Sequence, residues 1–119
     1  MGAPVAWLLS WLLAPGQPSR VELDWQAPDA CPSADAVHAE IDTLLRDAGT
    51  DDASSARAEG RAVLNGAGKW RVSIALELDG LRTERTIEGA SCEELSSAAA
   101  FIIATAIDPR VATLPPADA

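Results

Sequence analysis

Apolar and polar residues repeat along this chain with two different periods, and the points where the period changes mark its elements. Val21-Glu22-Leu23-Asp24-Trp25 alternates with period two, which predicts a strand buried on one face. Ala27 to Pro32 ends it, and Ser33 then stands where a helix N-cap belongs. Val37, Ile41, Leu44, Leu45 and Ala48 form one helical stripe that closes at Gly49, and Thr50 to Ser55 reads as a solvated loop. Ala56, Ala58, Gly60, Ala62 and Leu64 next alternate with Arg57, Glu59 and Arg61. This second strand has an inner face of unusually small side chains, so something bulky is expected against it. After the glycine-rich turn Asn65 to Lys69, the residues Trp70, Val72, Ile74, Leu76 and Leu78 make the strongest strand face in the chain.

Asp79-Gly80 is the dipeptide favoured by a two-residue type I′ hairpin, because both central positions need positive φ. It sets Leu78 opposite Leu81, and the register then places Glu77 opposite Arg82, Arg71 opposite Glu88 and Val72 opposite Ile87. Opposite charges meet on the outer face and apolar residues on the inner one, matches that a slip of one residue would lose. Arg85 breaks the pattern, since it shares the nominally inner face with Leu81, Thr83 and Ile87. A buried guanidinium would hold an anion or a carboxylate. An edge-strand residue whose stem covers apolar surface while its head reaches water is the commoner explanation.

The last helix is predicted from the capping box Ser91-Cys92-Glu93-Glu94 to the stop at Asp108-Pro109. Leu95, Ala98, Ala99, Ile102 and Ala106 form the expected inward stripe, but Ala100, Phe101, Ile103, Ala104 and Ile107 leave almost no polar side. Such a helix is expected to be covered on more than one side. The face containing Phe101 and Ala104 is therefore a candidate interaction surface. Strand, helix, three strands and helix add up to an α+β two-layer sandwich of β-α-β-β-β-α order, an antiparallel four-stranded sheet with both helices on one face.

Ahead of this domain, Val5 to Ala14 is an uncharged apolar run of ten residues, short of the roughly 20 that a spanning helix needs. With the small residues at Ala14 and Gly16, it reads as a signal peptide over residues 1–16, although no Lys or Arg precedes it. That division leaves residues 17–109 as a single domain, 110–119 as a flexible tail, and no integral membrane span in the mature form. Cys31 and Cys92 are the only cysteines, and in an exported protein such a pair is most simply a structural disulfide. A redox pair is the rival, but C-x-x-C spacing is absent.

Nine Lys and Arg against 18 Asp and Glu give a net charge of −9, which opposes binding to nucleic acid or anionic lipid. The lone His38, beside the apolar stripe of the first helix, reads as a boundary residue, and without a free cysteine beside it no transition-metal site is expected. No serine lies on a nucleophile elbow, Glu93 and Glu94 are explained by capping, and Asp51-Asp52 lacks the spacing of a calcium loop. Catalytic residues, metals and cofactors are therefore not assigned.

Trp25-x-Ala27-Pro28-x-x-Cys31-Pro32, taken with Ser91-Cys92-x-Glu94-Leu95 and with Ile102-Ile103-Ala104 to Ile107-Asp108-Pro109, resembles a group of uncharacterised exported proteins of myxobacteria. The resemblance spans Val21 to Pro109 and implies an N-terminal periplasmic module, sometimes followed by an outer-membrane barrel, with no catalytic residue carried over. The expected function is a non-catalytic interaction module in the periplasm or outside the cell, partnered by another envelope protein or by a second copy of itself. The alternative is a small ligand-binding or hydrolytic domain centred on Arg85, with Glu84 or Asp24 nearby.

Overall fold

The computed structural model describes residues 21–50 and 55–115. The signal-peptide segment, the Asp51-Asp52 pair and the last four residues lie outside them. The described chain runs β1 (Val21–Gln26), α1 (Ala34–Asp47), β2 (Ala56–Leu64), β3 (Trp70–Leu78), β4 (Leu81–Gly89) and α2 (Cys92–Ile107). A short 3₁₀ turn, Pro109–Thr113, follows. This is the expected α+β two-layer sandwich, with strands in spatial order β1-β2-β3-β4. The sheet is mixed rather than uniformly antiparallel, because β1 pairs with β2 in parallel. The reason is the connection: a chain that leaves β1 through a helix and returns to the adjacent position re-enters in the same direction. The other two pairs are antiparallel and joined by tight turns.

The β3–β4 register matches the charge pattern pair for pair, with Leu78 opposite Leu81, Glu77 opposite Arg82, Val72 opposite Ile87 and Arg71 opposite Glu88. Asp79 and Gly80 take φ of 52° and 81°, as a type I′ turn requires. In the β2–β3 turn, Asn65 Oδ1 accepts from the amides of Ala67 and Lys69.

The small inner face of β2 has a clear cause. Trp25 on β1 stands beside Gly60, and a Cβ at residue 60 would clash with the Cε3–Cζ3 edge of the indole ring. The indole Nε1 donates to the Pro32 carbonyl at 3.1 Å, so one side chain fills the space over β2 and holds the loop that carries Cys31. Cys31 and Cys92 are disulfide-bonded, with Cα atoms 5.4 Å apart. Ser33 caps α1 by accepting from the Ala36 amide, and Val37, Ile41 and Leu45 are buried as the stripe predicts.

On α2 the buried stripe is rotated from expectation. Cys92, Leu95, Ser96, Ala99, Ala100, Ile103 and Ala104 point inward, while Ala98 and Ala106 are exposed and Ile102 is half-buried. The disulfide turns Cys92 into the core, and α1 packs alongside α2, so the face built on residues 92, 96, 99 and 103 is the covered one. The domain also continues past Pro109: Val111 is buried, and the stretch expected to be a free tail from Arg110 is packed through this turn.

Candidate functional site: a groove beside the edge strand

Two helices side by side cover the inner face of the sheet unevenly. α1 lies on β1 and against α2, and α2 lies mainly on β3. The disulfide ties the first turn of α2 to the loop before α1, and Leu95 in the same turn packs on Gly89 at the end of β4, so the cover of β4 is confined to its last residues. The inner positions Leu81, Thr83 and Arg85 of β4 are consequently exposed, Leu81 by 73%. From the other side α2 presents Phe101, exposed by 43%.

Between these surfaces runs an open groove of about 380 Å³, with Ile74 and Leu76 along its floor and Thr83, Arg85, Phe101 and Ile102 on its walls. Thr105 also lines it, and its buried Oγ1 has no hydrogen-bond partner among the described residues. An open apolar trough with one guanidinium on its rim is suited to a peptide or protein surface. Phe101 and Arg85, far apart in sequence, thus meet at one groove. Ala104 does not join them, because it is fully buried in the core. Thr83 and Thr105 are additions that the sequence pattern did not point to, since the two-residue periodicity of β4 assigned Thr83 to the interior.

The outer face of the sheet is a lattice of charge. Register places Glu22, Arg57, Glu77 and Arg82 in one row across the four strands, with signs alternating. The next row is Asp24, Glu59, Ala75 and Glu84, where the small Ala75 lets Arg82 reach diagonally to Glu59 at 3.5 Å while it also bonds Glu84 at 3.2 Å. The Glu84 hydrogen bond above all raises the pKa of Arg82.

An open depression of about 360 Å³ lies here, lined by Asp24, Glu84 and Arg85 among others, so the three residues of the alternative reading do share a concavity. Its charged groups largely neutralise one another. Neither histidine nor thiol is within it: both cysteines are in the disulfide, and His38 is on α1, where Nε2 donates to the Val21 carbonyl at 3.0 Å and Nδ1 faces Asp42 at 3.3 Å. Among the described residues, no group of three His, Cys, Asp or Glu is placed to hold a metal, and no helix is long and apolar enough to cross a membrane.

One further polar cluster binds the ends of the two helices. Asp108, buried after the last residue of α2, accepts from the Thr50 hydroxyl beyond α1 and from the Arg110 side chain at 2.7 Å. Arg110 also donates to the Gly49 carbonyl. The Arg110 guanidinium first, then the Thr50 hydroxyl and the Arg110 amide, hold the Asp108 carboxyl well below the usual carboxylate range. This arrangement is structural in form, a clasp between two helix C-termini.

No protein-family model matches the chain, and no curated protein is similar to it. Among solved structures it is similar to the N-terminal domain of Protein Y from Thermus thermophilus, at 18% identity and a TM-score of 0.46, over 76% of this chain and 94% of that one. A ribosomal subunit interface protein from Coxiella burnetii aligns at 8% identity and a TM-score of 0.38, over 77% of this chain and 94% of that one. At these values neither likeness carries a conclusion to this chain.

Proposed function

We propose that this domain is a non-catalytic interaction module of the cell envelope, exported to the periplasm or beyond, that receives a protein partner in the groove beside β4. The observation that carries the reading is Phe101, a large aromatic side chain exposed by 43% on the rim of an apolar trough. Export is supported by the Cys31–Cys92 bond, which persists in oxidising compartments, and by the apolar run at Val5 to Ala14. The resemblance to exported myxobacterial proteins points the same way. A net charge of −9 speaks against a nucleic-acid partner.

The test has two arms. Thiol trapping in intact cells is expected to find both cysteines oxidised and the protein outside the inner membrane; a reduced protein in the cytoplasmic fraction would remove export from the proposal. Phe101→Glu is expected to leave the fold and thermal midpoint unchanged while abolishing capture of the envelope protein retained by the wild-type domain. Equal capture by both would show that the groove is not the binding surface.

The second reading, a small-ligand or hydrolytic site around Arg85, rests on the outer depression that also holds Asp24 and Glu84. Arg85→Ala, assayed against anionic ligands and esters, separates it from the first. A loss of small-ligand binding with protein capture intact would favour it.

A further inference from the structure

β4 is one of the two edge strands of the sheet, β1 being the other, and it is the longer of them, a nine-residue strand in unbroken register with β3, without a proline or a bulge. Edges of this kind are ready templates for another strand unless something blunts them. The residues flanking a two-residue hairpin turn form a hydrogen-bonded pair, so Leu78–Leu81 is one, and such pairs alternate along the ladder. The odd-numbered residues of β4 therefore direct their backbone groups to β3. Arg82, Glu84, Thr86 and Glu88 direct theirs outward, unmet by any strand among the described residues.

Charge is the usual protection of such an edge, but here the signs are self-complementary. If two copies of β4 meet antiparallel about a two-fold axis, the axis position decides which side chains oppose. An axis at Arg82, Glu84 or Arg85 sets that residue against its own copy, and one at Thr86 sets Glu84 against Glu88, each an unfavourable like pair. An axis at Ile87 makes no ion pair. An axis at Thr83 makes Arg82–Glu84 twice, puts Thr83 against Thr83, and lays the Arg85 stem over Leu81, the most exposed large apolar residue of the domain. Only this axis gives two ion pairs with no like pair, and it also makes Arg82 and Glu84 the hydrogen-bonded positions.

We infer that the partner at this edge is a second copy of the chain, joined by antiparallel pairing of β4 about Thr83 into a continuous eight-stranded sheet. This rests on the reading of the domain as an interaction module and names its partner. With strands about 4.8 Å apart, the two α2 helices stand about 14 Å from each other on one face, so the two grooves merge into a single trough flanked by Phe101 from each copy.

The test uses the full chain with its native disulfide intact. Sedimentation over a dilution series is expected to show a monomer–dimer equilibrium. Glu84→Pro, which removes an outward N–H and one charge but no bond to β3, is expected to weaken it at least tenfold with the circular dichroism unchanged. Should Glu84→Pro fail to fold, single cysteines keep the question open to measurement. Thr83→Cys, at a close non-hydrogen-bonded position, is expected to form an intermolecular disulfide under mild oxidation, while Arg85→Cys, at a position that is also exposed, does not. Cross-linking of Arg85→Cys but not Thr83→Cys would overturn the proposed register. A wild-type chain that is monomeric throughout the dilution series, or a dimer indifferent to Glu84→Pro, would overturn self-pairing; if such a monomer still captures an envelope protein in a Phe101-dependent way, the module reading stands without it.

Discussion

Gly60 shows how much one absent side chain can decide. Its backbone conformation is ordinary extended strand, and its role is to leave the space that the Trp25 ring occupies. That ring spans β1 and β2 and hydrogen-bonds the Pro32 carbonyl, so displacing it would loosen the approach to the disulfide as well. Gly60→Ala is expected to destabilise the domain by about 1–3 kcal/mol in urea unfolding, because the indole lies between packed elements and has little room to move. In a Trp25→Leu background the same substitution should cost much less, a coupling that a double-mutant cycle measures directly. Asp108 makes a prediction of the opposite kind, about pH. Its carboxyl titrates below the range of the unfolded chain, so the stability it contributes is complete above roughly pH 4 and is lost progressively as pH falls toward the folded-state value. Asp108→Asn is expected to flatten the acid limb of the stability–pH curve; an unchanged limb would show that the clasp to Thr50 and Arg110 contributes nothing.

Among the elements, α2 is the one on which the others depend. Its start is set by Ser91, whose hydroxyl accepts from the Glu94 amide, and by the disulfide at Cys92; its end is set by Asp108. The bridge closes a loop of 61 residues, which in the chain-entropy account stabilises by roughly 4 kcal/mol. The Cys31→Ser/Cys92→Ser double variant is expected to lose about that much, read as a fall in the unfolding free energy and the urea midpoint, with a slope that rises as the uncrosslinked unfolded chain expands; an unchanged midpoint would show that the bridge does not stabilise the domain. The β3–β4 hairpin is a different case, since its register is encoded locally by Asp79-Gly80 and by charge pairs that match only one alignment.

For the whole molecule, the decisive feature is an offset between layers. Four strands lie under two helices, and the helices are held side by side by the disulfide, by the packing of α1 on α2, and by the Asp108 clasp at their far ends, with the cover of β4 confined to Ile87 and Gly89 at its end. The uncovered β4 edge and the groove beside it follow from that offset. The same offset makes Phe101→Glu and Glu84→Pro informative together. One probes the groove wall and the other the strand edge, and each lies outside the core that keeps the domain folded.

Local pattern alone was enough to determine the four strands and two long helices, the capping residues, the hairpin register and the cysteine pairing, but not the packed turn at Pro109–Thr113. Each depends on neighbours within a few positions or on a residue type with a single common use in its context. The parallel pairing of β1, the rotation of α2 about its axis, the exposure of Leu81 and Thr83, and the burial of Ala104 were decided only in three dimensions. Periodicity states that a strand or helix has an inner face; whether another element covers that face depends on where the second layer comes to rest. Here the disulfide and the contact between helices set that position. They left Leu81, Thr83 and Arg85 of β4 uncovered, brought Arg85 and Phe101 to one groove, and put Ala104, a single helical turn from Phe101, inside the core.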